Sequence, residues 1–169
     1  MLQMSKIFIG FVFWNTVLFG VTIWLGVTHQ SAHWQHQAAG VLTGIYTCLT
    51  NCIVMMHFMG SGKGIKEAVE THNLPNDPQT GYTRRSRKLH ARASAMATLC
   101  CLLIIVAAVL GAAKDTGRLQ GSTHAWFAGF AVAFNLYAFY VEYRVIAANT
   151  AMIREINAKI ATKQSESLA

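Results

Sequence analysis

Apolar residues form long blocks along the chain, and charged residues are confined to the segments between these blocks. Between Lys6 and Lys63, 56 consecutive residues include no Asp, Glu, Lys or Arg, and shorter uncharged blocks cover 93–113 and 119–141. A helix of about 20 residues crosses the roughly 30 Å apolar core of a bilayer. The long block therefore predicts two transmembrane helices joined by a tight turn, and each short block predicts one more.

The predicted spans are 7–27, 34–59, 93–113 and 123–146, with an inner loop at 60–92 and a tail at 147–169. These segments lack the alternation of polar and apolar residues that is typical of membrane β-barrel strands. The pattern thus indicates an all-α membrane protein, in which a single domain is built as an antiparallel bundle of four transmembrane helices.

The tail continues the helical pattern beyond the last span. Ile153, Ile156 and Ile160 recur at helical spacing, and charged residues occupy the opposite face. The fourth helix is therefore expected to extend into the cytoplasm. An apolar stripe outside the bilayer also predicts that a partner surface covers it.

The distribution of basic residues predicts the orientation. Of the 14 Lys and Arg residues, 12 lie before the first span, in the inner loop, or from Arg144 onward, whereas the other side has only Lys114 and Arg118. Because basic loops stay in the cytoplasm, both termini are expected there and the chain in the cytoplasmic (inner) membrane. The composition, 53% hydrophobic and 12% charged, agrees. The net charge of +7 follows from this topology, and no nucleic-acid binding is expected.

Polar and small residues recur at alternating steps of four and three, which places them on one face of each helix. The second span carries His36, Gly40, Thr43, Thr47, Thr50, Val54 and His57, and the fourth carries His124, Ala128, Ala131, Asn135, Ala138 and Glu142. Polar side chains are costly in lipid, so these faces are predicted to point into the bundle. Glu142, two residues before Arg144, is interpreted as an interfacial side chain.

Histidines on different helices lie at matching depths, with His36 and His124 at the outer end and His57 and His90 at the inner end. Two imidazoles from facing helices are the usual axial ligands of a b-type haem, and small residues such as Gly40 and Ala128 would make room for its ring. In helix count and histidine placement the chain resembles the di-haem b-type cytochrome subunits of membrane respiratory enzymes. That resemblance implies electron transfer between a quinone and a partner, although no sequence motif of that family is present.

Two other interpretations of the histidines stay open. His29, His33 and His36 are spaced so that one helical face could offer three imidazoles to copper or zinc. Alternatively, the histidines are amphipathic residues at headgroup level and the chain binds no cofactor.

The leading functional hypothesis is a small membrane subunit of a respiratory or redox complex, because no paired carboxylates, activated nucleophile or nucleotide motif indicates catalysis by this chain alone. Its expected partners are other membrane subunits, which would contact the bundle surface and the tail, and lipid. A second hypothesis is a cofactor-free accessory or assembly subunit. A third is a small transporter, with the threonine stripe lining a proton or metal path.

Overall fold

The computed structural model describes residues 4–28, 33–77 and 81–168, and these residues form four α-helices without any strand. The helices are α1 (Met4–Thr28), α2 (His33–Thr71), α3 (Tyr82–Asp115) and α4 (Gly121–Leu168). Each of the four contains a stretch that is long and apolar enough to cross a membrane. The prediction of an all-α chain with four such helices is therefore confirmed.

Most of the inner loop predicted at 60–92 is helical rather than irregular, and its place between two membrane spans stays a prediction. Helix α2 continues to Thr71 and α3 begins at Tyr82. Packing explains the difference, because Ile65 and Val69 on the continuation of α2 are buried in an apolar cluster with residues of α4. Tertiary burial of this kind overrides the low helix propensity of the glycines at the start of the continuation.

The connection after α2 is tightened by a lysine from the far end of α4. Asn73 takes a left-handed backbone conformation, with φ of 46°, as is common just beyond a helix C-terminus. The Lys163 ammonium donates to the backbone carbonyls of His72 at 3.1 Å and Asn73 at 2.9 Å. These bonds satisfy carbonyls that the end of a helix leaves without partners.

The four helices are arranged in a ring in chain order. Contacts join α1 to α2, α2 to α3, α3 to α4 and α4 back to α1, and α2 also touches α4, whereas the described parts of α1 and α3 do not meet. One apolar core lies between them, formed by Phe8, Phe19, Val54, Phe58, Ala93, Phe139, Val141, Val145 and Ile146.

A second apolar cluster lies at the extended end of the bundle, which we define as residues 60–71, 82–92 and 147–168. Tyr82 of α3 and Met152 and Ile156 of α4 are buried there against α2, with Ile153 and Ile160 packed alongside. The stripe on the tail of α4 is thus covered by the chain itself. The expectation that other subunits contact the tail stays a prediction.

A polar contact closes the edge of this second cluster. The Tyr82 hydroxyl donates to a Glu155 carboxylate oxygen at 2.6 Å, and the Arg85 guanidinium lies 3.3 Å from the other oxygen. The hydrogen bond from Tyr82 and the nearby positive charge of Arg85 hold the pKa of Glu155 below its ordinary value. The contact links α3 to α4 beyond the apolar stretches.

The predicted inward faces of α1 and α2 are confirmed by hydrogen bonds between buried side chains. The Thr47 hydroxyl donates to the Asn15 amide oxygen at 2.7 Å, and the Asn15 amide nitrogen donates to the Thr50 hydroxyl at 2.7 Å. Nearer the end of α1, the hydroxyls of Thr22 and Thr43 lie 2.8 Å apart. Side chains that would be costly in lipid therefore satisfy one another between the two helices.

Large apolar side chains cover the outside of the bundle, which reverses the pattern of a soluble protein. Exposed examples occur on all four helices and include Phe13, Trp14, Ile45, Met56, Leu102, Val109, Phe130 and Leu136. A bundle with an apolar outer surface, and with its polar side chains turned inward beside an apolar core, is suited to a lipid environment.

Replacement of Asn15 by leucine removes the amide oxygen that accepts from Thr47 and the amide nitrogen that donates to Thr50. The two threonine hydroxyls are then left with backbone carbonyl acceptors in their own helix. We expect Asn15→Leu to lower the free energy of unfolding by about 1 kcal/mol, measured by denaturation of the purified protein in detergent. Thr16→Val is the matched control, since Thr16 is exposed and its side chain bonds, within the described residues, to the Val12 carbonyl alone. Equal stability of the two variants would contradict the assignment.

Candidate functional site

Two histidines from different helices meet at the end of the bundle where α1 ends and where α2 and α4 begin. His36, near the start of α2, and His124, near the start of α4, have ring centroids 6.3 Å apart and ring planes at 75°. Both side chains are half-buried. The structure thus brings together the pair that the sequence predicted for the outer end.

Helix α1 fixes the orientation of the His36 ring. The Nδ1 of His36 donates to the backbone carbonyl of Thr22 at 3.0 Å. Gly26, one turn along α1, lies directly beside the ring, because a Cβ at that position would be 2.8 Å from the imidazole Cε1. An imidazole whose Nδ1 donates to a carbonyl presents Nε2 as the free metal-ligating atom, which is the usual orienting arrangement in metal sites.

His124 is cradled in the same way by helix α3. A Cβ on Gly111 would lie 3.1 Å from the imidazole Cε1, so the ring lies close to the backbone of α3. Its Nδ1 is buried and has no hydrogen-bond partner among the described residues. Since a buried polar atom is normally paired, this nitrogen is a candidate ligand atom.

Gly40, the glycine expected to make room for a haem ring, faces α1. A Cβ added at Gly40 would lie 4.0 Å from the Thr22 methyl group of α1. That distance is an ordinary van der Waals contact, so the approach of α1 does not require a glycine at this position. The glycines beside the two imidazoles, Gly26 and Gly111, were not predicted.

The inner histidines are not brought into contact with each other in the described structure. His90 stacks on Phe58, with ring centroids 6.4 Å apart and planes at 12°. His57 instead lies near α4, where its Nε2 is 3.5 Å from the Asn149 amide nitrogen. Consecutive residues of a helix point about 100° apart, so Phe58 rather than His57 faces α3.

The copper or zinc site suggested by His29, His33 and His36 stays a prediction. His29 and the side chain of His33 lie outside the described residues. Within the described part of the chain, no three His, Cys, Asp or Glu side chains converge in a group that could hold a metal ion.

Glu142 is a carboxylic acid inside the bundle, as its place on the predicted inward face of the fourth helix indicates, and its position at the membrane interface stays a prediction. The residue is 0% exposed, and neither carboxyl oxygen has a hydrogen-bond partner among the described residues. Its helical position, on the same face as Ala131, Asn135 and Ala138, turns it inward despite the nearby Arg144.

Other buried polar atoms lie on α2, α3 and α4. Asn149, which follows Glu142 by seven residues, is fully buried and donates to the Ser61 hydroxyl at 3.0 Å. Oxygen atoms without a partner occur within the described residues at Asn51, Ser94, Asn135 and Asn149. Sequence reasoning missed Asn51 and Asn149, although the step of seven from Asn135 to Glu142 to Asn149 was a usable signal.

The chain matches no protein-family model, no curated protein and no solved structure. Its proposed function therefore depends on the geometry of the histidine pair and the buried carboxyl.

Proposed function

We propose that this chain is a small integral membrane subunit of a multi-subunit respiratory or redox complex, and that His36 and His124 bind a b-type haem. The observation that carries the proposal is the meeting of two imidazoles from different helices, with ring centroids 6.3 Å apart. His36 and His124 would hold the haem iron from two facing helices, as pairs of histidines do in b-type haem proteins.

The protein groups around the pair suit axial ligation. The Thr22 carbonyl holds Nδ1 of His36, and Gly26 and Gly111 let the two rings lie close to neighbouring backbones. Hydrogen bonding of the non-ligating nitrogen and burial are the means by which a protein orients a haem ligand and tunes its potential. A bound haem would supply one-electron transfer, and the chain would supply the ligands and the apolar surroundings.

The haem is proposed for this pair alone. A second haem between His57 and His90 is not part of the proposal, because these rings contact Asn149 and Phe58 respectively.

In the proposed topology the helices form an antiparallel bundle in the cytoplasmic membrane with both termini in the cytoplasm. Contacts between neighbouring helices support opposite directions, since Thr22 and Asn15 of α1 meet Thr43 and Thr50 of α2 in reverse order. The excess of Lys and Arg at the extended end supports the cytoplasmic side. The exposed apolar surface would contact lipid and the other subunits of the complex.

A second candidate function is proton transfer across the membrane, and the specific observation in its favour is Glu142. Ionisable side chains inside a membrane bundle are typical of proton paths. The Glu142 carboxyl has no partner among the described residues, and the Asn135 and Asn149 side chains lie one heptad before and after it on α4. In this reading the buried amides and threonine hydroxyls line the path.

The haem proposal predicts a coloured protein. We expect the chain, purified after expression with a haem supply, to show a Soret band that the double variant His36→Ala/His124→Ala lacks, because both axial ligands are gone. His72→Ala, a histidine beyond the end of α2, is the control and should keep the band. A colourless, well-expressed wild-type protein would remove the haem proposal and favour a cofactor-free accessory or assembly subunit.

The proton-transfer candidate predicts acidification of liposomes that hold the purified chain and a pH-sensitive dye. Glu142→Gln keeps the size of the side chain but cannot carry a proton, so the rate should fall by at least about tenfold. Glu67→Gln, on the exposed side of α2, should leave the rate unchanged. Equal rates for wild type and Glu142→Gln would exclude Glu142 as the proton carrier.

A further inference from the structure

A basic cavity of about 380 Å³ lies between α2 and α3 where the extended end of the bundle begins. Lys63 and Lys66 of α2 and Arg87 of α3 line it, and its lining includes no carboxylate. The cavity is separate from the His36–His124 pair and from Glu142. Three cationic side chains from two helices thus converge on one space.

The cavity is positioned at the boundary between the apolar and charged parts of both helices. Lys63 is the first charged residue after the 56-residue uncharged block, and Arg92 is the last before the uncharged block at 93–113. On the apolar side of the boundary, Phe58 and Met59 line the cavity. In a bilayer this boundary is the level of the lipid headgroups.

Two of the three cations are available to a ligand. Within the described residues, Lys63 and Arg87 form no ion pair, whereas Lys66 lies 3.8 Å from Glu70 in an exposed pair that contributes little. Arg87 also borders an adjoining cavity lined by Arg84 and Asp77, which adds one acidic group beyond the basic rim. The side chains that line the first cavity therefore carry a net positive charge.

His90 and neutral hydrogen-bonding groups complete the lining. Ser86 is buried at the back of the cavity and Thr83 lies one turn away on α3. Gly62 faces Ser86 closely, since a Cβ there would be 3.6 Å from the serine hydroxyl oxygen. Hydroxyl and basic groups together, around a space with an apolar floor, match a phosphate group that is attached to an apolar body.

We propose that this cavity binds the phosphate group of an anionic phospholipid, with Lys63 and Arg87 on the phosphate and Phe58 and Met59 against the start of the acyl region. Basic pockets between transmembrane helices at the cytoplasmic face are suited to such headgroups. Free phosphate shares the charged chemistry but would make no use of the apolar floor. The site requires no haem and goes beyond the redox proposal.

The test measures lipid that stays bound to the purified full chain in detergent, by native mass spectrometry after addition of phosphatidylglycerol or phosphatidylcholine. Wild type should retain one phosphatidylglycerol per chain in preference to phosphatidylcholine. Lys63→Gln/Arg87→Gln should reduce retention by at least about tenfold, because two phosphate contacts are lost. Lys63→Arg/Arg87→Lys, which keeps both charges, should retain the lipid.

The matched control is Lys88→Gln/Arg92→Gln, which removes the same two charges from exposed positions on α3 outside the cavity. This control should retain phosphatidylglycerol within about twofold of wild type. Equal losses in both Gln variants, or equal retention of the two lipids by wild type, would overturn the site. Binding of inorganic phosphate without retention of phosphatidylglycerol would overturn the lipid assignment in favour of free phosphate.

Helical content measured on each variant separates loss of the ligand from loss of the fold, and an unchanged absorption spectrum keeps this test separate from the haem proposal.

Discussion

Hydrogen bonds between polar side chains that face one another inside the bundle are the interaction on which the remaining structure depends. The outer surface is apolar, so a polar group turned outward would find neither water nor a protein partner in lipid. Asn15 illustrates the consequence, since it joins Thr47 and Thr50 of α2 and thereby sets how α1 lies along α2. The same placement brings the Thr22 carbonyl to His36.

The interior divides into a satisfied part and an unsatisfied part. Polar side chains between α1 and α2 are paired, whereas the buried atoms without partners in the described residues lie on α2, α3 and α4 and include those of His124 and Glu142. The paired side chains between α1 and α2 support a structural role for α1. The unpaired polar atoms on α2, α3 and α4 are where a ligand or a proton would be accommodated, and both proposed functions depend on them.

The spans could be predicted from sequence because length and absence of charge alone decide whether a helix can cross a bilayer. The inward faces followed from helical periodicity, and the pairing of His36 with His124 followed from their matching depth on those faces. The unbroken continuation of α2 to Thr71 was not predicted, since its cause is burial of Ile65 and Val69 near Met152, far away in the chain. Matching depth did not reveal that His57 and His90 point to different neighbours, because depth leaves the rotation of each helix undetermined.

The central claim is that four helices cross the membrane with their polar faces turned toward one another, and topology mapping tests it most directly. Single cysteines at the exposed positions Lys88 and Thr116, in a chain whose native cysteines are replaced by alanine, would be labelled with a membrane-impermeant maleimide in oriented vesicles. The account predicts labelling of Lys88→Cys from the cytoplasmic side only and of Thr116→Cys from the opposite side only. Labelling of both positions from one side would contradict it.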